Sequence, residues 1–271
     1  MRFKSTALTA GLLGSLSILL AAGCGGNKGG SGGDGGSGGD GGSGQGSASS
    51  SGQGSGAGAG PGTGDCAKDE PVHTGQATYY NEADGTGNCS FDASPGDLMI
   101  GAMNTPDYAG SAACGACVKL SGPNGEITIR IVDRCPECPQ GNIDLSPEAF
   151  SKIAELKAGK VPISWTYAAC APSDPIRYHW KEGSNQWWTA VQIRNHRYAI
   201  KSVEYKKDDG TWKSIPRFDY NYFIDEAGMG PGPYSIRVTD VYDQVIEDTG
   251  VPFAEAADST GAAQFPACAV K

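Results

Sequence analysis

The chain has 271 residues, a formal net charge of −9 and 42 glycines. Acidity of that degree argues against nucleic acid as a partner. Asp65 to Cys170 holds 14 acidic and 7 basic residues and Ile176 to Tyr220 holds 5 acidic and 9 basic, so the later stretch suits either an acidic wall polymer or plain solvation.

Residues 1–23 read as a lipoprotein export signal. Arg2 and Lys4 precede "ALTAGLLGSLSILLAAG", a run too short and too Gly-rich for a stable membrane span. It ends in "LAAGC", a bacterial lipobox pattern with Cys24 as the lipidated residue, although Ala21 stands where leucine is commoner. Ordinary secretion is the other reading. The expected location is therefore the cell surface or outer membrane, or the medium, with membrane contact only through the lipid. Residues 24–64 form a Gly/Ser-rich tether with almost nothing to bury, in which "SGGDGG" occurs twice in tandem from Ser31. The GxSxG at Gly29 to Gly33 has no strand or helix around it and carries no nucleophile reading.

Residues 65–170 contain short strand-like runs, "GQATYY", "ACVKL", "EITIRIVD" and "VPISWTYAAC", with Gly, Pro and Asn between them. A helix is expected over "SPEAFSKIAELKAG", with Ser146 as N-cap, Pro147 at the first position and Gly159 as the stop. Phe150, Ile153, Ala154 and Lys157 fall on adjoining turns of it. "APSDP", 171–175, is a stiff connector. Residues 176–271 contain "WWTAVQIRN", "YAIKSVEYKK", "TWKSI", "YSIRVTD" and "QVIEDT", with an Asp-Gly turn in "KKDDGTW" and a C-terminal extension. Regular strands without a helix predict an immunoglobulin-like β-sandwich, so the whole folded part is expected to be all-β.

Eight cysteines remain besides Cys24, an even number that suits four disulfides in an exported chain. "CGAC" and "CPEC" also have the spacing of a four-thiolate zinc site, but an oxidising compartment favours disulfides. His73, His179 and His196 are scattered. No metal and no cofactor are expected.

"IVDRCPECPQGNIDLS" places Asp133 at the end of a buried strand and Asp144 just before a helix start, around a loop bearing Cys135 and Cys138. Two converging carboxylates leave one protonated beside an ionised partner, and such an acid can serve a glycosidic oxygen. The plainer reading is that Asp133 caps the loop and Asp144 anticipates the helix N-terminus. In "NQWWTAV", Trp187 and Trp188 stand at a strand entrance. Regular pleating would bury one of them, whereas a start outside the pleat would expose both. Trp165, Trp212 and Tyr205 are expected in the core.

"GQATYYNEADGTGNCSFD", "CGACVKL" and "IRIVDRCPECPQGNIDLSPEAFSKIA" resemble the first domain of expansins. "YHWKEGSNQWWTAVQIRNHRYAIKSVEY" and "FDYNYFI" resemble the carbohydrate-binding module of bacterial expansins, the matches together covering most of Thr74 to Thr249. The resemblance implies a six-stranded double-psi β-barrel followed by the sandwich. It makes Asp144 the functional carboxylate, Asp133 its neighbour and Thr78 a groove residue. It makes Trp187, Trp188 and Tyr220 a flat row for the apolar faces of glucose rings, with Lys181 beside it. It pairs Cys89 with Cys114 and Cys117 with Cys170, leaving Cys135–Cys138 and Cys66–Cys268 by elimination. Cys135 departs from the pattern, since bacterial expansins usually carry an aromatic residue there.

Inverting endoglucanases on the same barrel need a base four residues after the equivalent of Thr78. Glu82 stands there, in a stretch that also reads as a solvated turn. The expected function is thus non-enzymatic wall loosening on cellulose or another plant cell-wall polysaccharide, by a monomer. The alternatives are an endo-β-1,4-glucanase with Asp144 as acid and Glu82 as base, or a peptidoglycan lytic transglycosylase.

Overall fold

The computed structural model describes residues 70–268. The export signal, Cys24, the tether and Cys66 lie outside the described residues. Six strands close a barrel: β1 (His73–Tyr79), β2 (Ile100–Asn104), β3 (Cys117–Gly122), β4 (Gly125–Cys135), β5 (Ile143–Leu145) and β6 (Val161–Ala168). Their order around the barrel is β1–β5–β2–β4–β3–β6, with β1/β5 and β2/β4 parallel and the remaining neighbours antiparallel.

Alternation decides what faces inward. Ala77 on β1, Val118 and Leu120 on β3, Ile129 and Ile131 on β4, and Ile143 and Leu145 on β5 are buried in one cluster with Trp165. Since Ala77 and Tyr79 take the inner side of β1, Thr78 and Tyr80 take the outer side. The pairing of β2 with β4 shifts between Gly101 and Ala102, so that Ile131 meets Gly101 but Asp133 meets Ala102. The extra residue, Val132, makes a bulge that turns Asp133 away from the inward column of Ile129 and Ile131.

A short helix α1 (Thr105–Tyr108) follows β2, and helix α2 (Pro147–Ile153) follows β5. Ser146 caps α2 by accepting from the Ala149 N–H at 3.0 Å, and its hydroxyl donates to the Leu98 carbonyl. Phe150 and Ile153 cover the barrel, Phe150 meeting the Tyr79 ring at 5.1 Å. The helix is shorter than the sequence predicts. Ala154 is extended at φ −161° and ψ 165°, and Leu156–Ala158 form a separate turn that Gly159 caps. The Ile153 carbonyl accepts from Asn124 N at 2.8 Å, so it is not free to continue the helix. Lys157 is consequently exposed and belongs to no apolar stripe.

Eight further strands make two antiparallel sheets. β7 (Arg177–Trp180), β8 (Thr189–Arg194), β11 (Phe223–Asp225) and β14 (Asp258–Thr260) form one, in the order β11–β8–β7–β14. β9 (Ile200–Lys206), β10 (Trp212–Ile215), β12 (Tyr234–Asp240) and β13 (Val245–Val251) form the other, in the order β10–β9–β12–β13. Tyr178, Trp180, Val191, Ile193, Val203, Tyr205, Ile236 and Val238 fill the space between them. Trp180 is fully buried, and truncating such a side chain to alanine costs ~3–5 kcal/mol.

Trp212 is not a core residue, contrary to the sequence-based assignment. Ile215 faces inward, so alternation sends Trp212 outward on the edge strand β10. There it is half-buried, with the Arg237 guanidinium 4.1 Å and Lys206 Nζ 5.8 Å from its ring centroid. The barrel carries three disulfides, Cys89–Cys114, Cys117–Cys170 and Cys135–Cys138. The thiols of "CGAC" and "CPEC" are all consumed in them. Cys268 is also disulfide-bonded.

Barrel and sandwich belong to one compact unit and are joined by polar contacts. The Cys89 carbonyl accepts from Gln192 Nε2 at 2.9 Å and from Asn221 Nδ2 at 3.2 Å. Ser111 Oγ donates to the Phe218 carbonyl at 2.7 Å. Arg217 donates to the carbonyls of Ser111 and Ile200 while its guanidinium lies 4.5 Å from the centre of the Phe223 ring. Burial pushes its pKa down to about 10. His196 is buried against Gly115, with Nδ1 2.7 Å from the Tyr198 carbonyl. Burial lowers its pKa to about 4.

Candidate functional site

The groove at the barrel mouth is assembled by strand register. Thr78 on β1 pairs with Asp144 on β5, and Ala102 on β2 pairs with both Asp144 and Asp133. The two aspartates therefore flank one small residue from adjacent strands, about 10 Å apart at their Cα atoms by strand spacing. Ala102 itself is buried between them. Asp144 is the middle residue of its short strand and Asp133 lies two residues before the end of β4.

The two carboxylates are held differently. Asp133 Oδ1 accepts from the backbone N–H groups of Asn88 at 2.6 Å and Arg134 at 2.8 Å. Asp144 Oδ1 accepts from the Thr78 hydroxyl at 2.5 Å. Burial raises the Asp144 pKa, the bond from Thr78 opposes that, and the negative charges of Glu137 and Asp133 add to it. Asp144 thus takes up a proton more readily than an ordinary aspartate.

Tyr80 completes the groove, and the sequence reading missed it. Its hydroxyl is buried with no hydrogen-bond partner among the described residues. Burial raises its pKa, and Asp133 and Asp144 raise it further. The signal was present in "QATYY", since residue 80 shares a strand face with residue 78. Glu137, also missed, projects from the loop closed by Cys135 and Cys138 and acts on Asp144 through its charge. Glu82 is exposed in the turn after β1 and makes no hydrogen bond or ion pair with any described residue. Cys135, at the position usually aromatic, is buried in its disulfide.

Trp187 and Trp188 stand just before β8, outside its pleat. The Asn185 side chain accepts from both of their N–H groups, at 2.9 and 3.2 Å, and Asn185 N donates to the Trp188 carbonyl at 2.8 Å. Trp187 is 71% exposed. Trp188 is half-buried against Ala190, Tyr222 and Ile224, and Tyr220 packs on the same cluster. The Tyr220 ring lies 5.9 Å from Tyr222 and 6.0 Å from Phe218. Lys181 Nζ stands 6.0 Å over the Tyr222 ring. Tyr222 and Phe218 thus form a backing layer that the sequence reading did not identify. Gly228, at φ +78°, permits the Trp turn, because a Cβ there would lie 2.1 Å from the Gln186 carbonyl oxygen and 2.4 Å from Trp187 Cα.

This combination has relatives. Expansin-YoaJ of Bacillus subtilis (strain 168) is 36% identical over 206 residues, covering 73% of this chain and 88% of the relative. The chain belongs to the expansin family. Expansin-like protein 2 of Dictyostelium discoideum is 33% identical over 182 residues, 63% of this chain and 44% of that longer protein. The crystal structure of apo Clavibacter michiganensis expansin matches with a TM-score of 0.69 and 32% identity, over 73% of this chain and 99% of that one. A mutant of that expansin, crystallised in complex with cellohexaose, matches with a TM-score of 0.68. A family model described as lytic transglycolase matches residues 72–165, which in this expansin run from just before β1 into β6.

Proposed function

We propose that this expansin is a non-hydrolytic wall-loosening protein that binds cellulose or a related wall glucan and disturbs contacts between its chains. The aromatic row docks on flat sugar faces, which both shed water on contact. The groove then offers the Asp144 carboxyl to the hydroxyl groups of a strand. One observation carries the reading: Asp144 has a hydroxyl partner in Thr78, while Glu82, at the position of a hydrolytic base, is exposed and bonded to nothing described. Inverting hydrolysis needs a rigidly held base that activates water on the opposite face of the sugar. The complex of a related expansin with cellohexaose supports a glucan ligand. The lipobox reading adds that the protein acts at the cell surface on a lipid anchor and a long tether.

A second reading, peptidoglycan cleavage by a transglycosylase, has the matching family model in its favour. The test is one preparation assayed on cellulose and on purified sacculi, with mechanical weakening of paper or wall strips measured in parallel. The expected result is weakening that Asp144→Asn abolishes, with no reducing sugar and no anhydromuropeptides released. Reducing sugar lost in Glu82→Gln would establish the endoglucanase, and anhydromuropeptides lost in Asp144→Asn the transglycosylase.

A further inference from the structure

Asn88 lies in the loop after β1, between the groove and the segment that carries Tyr220. Its backbone N–H donates to Asp133 Oδ1 at 2.6 Å. Its side-chain amide donates to the Tyr108 hydroxyl and to the Asp219 carbonyl, each at 2.8 Å. The Tyr108 hydroxyl donates to that same carbonyl at 2.8 Å. Asp219 immediately precedes Tyr220. A single residue therefore holds a groove carboxylate with its main chain and the backbone of the aromatic row with its side chain.

We propose that Asn88 is a positioning residue that sets the register between groove and aromatic row, so that a glucan long enough to reach both is bound as one ligand. The proposal rests on the glucan reading above. Two weak sites on one rigid body bind a long ligand tightly because the second contact is intramolecular, and the gain disappears once the sites drift out of reach of one another. The bonds at Asn88 suit this task. The Asp219 carbonyl has two lone pairs, and Asn88 and Tyr108 use both. Tyr108 is 1% exposed, so the bonds at its hydroxyl are partly shielded from competing water, while the bond from Asn88 to Asp219 lies at the surface. Gln192, Asn221 and Ser111 add bonds between neighbouring parts of the same two domains. Asn88 differs from them in also holding Asp133.

The experiment compares cellotriose with cellohexaose by calorimetry on the full chain. Asn88→Ala removes the amide. Asn88→Asp keeps the shape and the backbone N–H but sets an acceptor against the Asp219 carbonyl. Both variants are expected to bind cellohexaose ~10-fold more weakly while cellotriose affinity stays within ~2-fold, because only the linked contact is lost. Ser111→Ala, which removes a neighbouring domain contact without touching Asp133, is expected to keep the wild-type ratio. An unchanged ratio in both Asn88 variants overturns the proposal, and so does an equal collapse in Ser111→Ala. A wild-type chain that gains nothing from the longer sugar overturns the glucan track itself, a distinct outcome.

Discussion

Thr78 and Asp144 face each other across the parallel pair of β1 and β5, and the threonine hydroxyl donates to the carboxylate at 2.5 Å. That bond favours the ionised acid, while burial and the charges of Glu137 and Asp133 favour the protonated one, and burial prevails. Removing each influence separately should move the titration in opposite directions. In Thr78→Val the Asp144 pKa is expected to rise further, and in Glu137→Gln to fall. Carboxyl carbon shifts followed by NMR across the acid range measure both. Equal titrations in the three proteins would refute this account of the groove.

Stability should follow the same group. The native pKa of Asp144 is raised, so the folded protein keeps its proton where the unfolded chain, with a carboxyl pKa of about 3.9, has lost it. The contribution is fully present below the unfolded pKa and is lost as pH rises through the native one. Melting temperatures of wild type and Asp144→Asn should therefore diverge as pH increases from about 4, with the wild type losing ground.

His196 works in the other direction. Its pKa falls from 6.5 to about 4 because the charged ring cannot be hydrated at the domain junction. Its stability contribution is present above 6.5 and lost as pH drops towards 4, up to ~3 kcal/mol at 1.36 kcal/mol per pH unit. Thermal melts from pH 7 to pH 4 should show the wild type declining more steeply than His196→Gln.

The two tryptophans separate binding from folding. Trp187 is 71% exposed, so Trp187→Ala should change stability by no more than ~0.5 kcal/mol while reducing retention on cellulose. Trp188 also covers Ala190 and Ile224, so Trp188→Ala should cost ~1–2 kcal/mol in addition to retention. Denaturant unfolding and a cellulose pull-down report the two effects. Full retention in the double variant removes the row from the function.

Much of the groove was legible because strands alternate. A threonine two residues before a tyrosine in "QATYY" can be placed by counting. The register that brings Thr78 to Asp144 needs partners 66 residues away, and no local pattern encodes that distance. The same holds for Asn88 and Asp219, which lie 131 residues apart. The helix after Asp144 was drawn too long because its propensity continues past Ile153, where a long-range bond from Asn124 takes the carbonyl. Trp212 is expected in the core with the other aromatics, and only the inward position of Ile215 reveals which side of β10 it occupies. The bulge at Val132 has no sequence signature, yet it aims Asp133.

Cys170 follows β6 at the head of the connector and is bonded to Cys117, the first residue of β3. A tensile load arriving through the connector is therefore borne by a covalent bond before it reaches the hydrogen bonds between β3 and β6. A pull that separates the two modules would meet covalent resistance to unzipping at that junction.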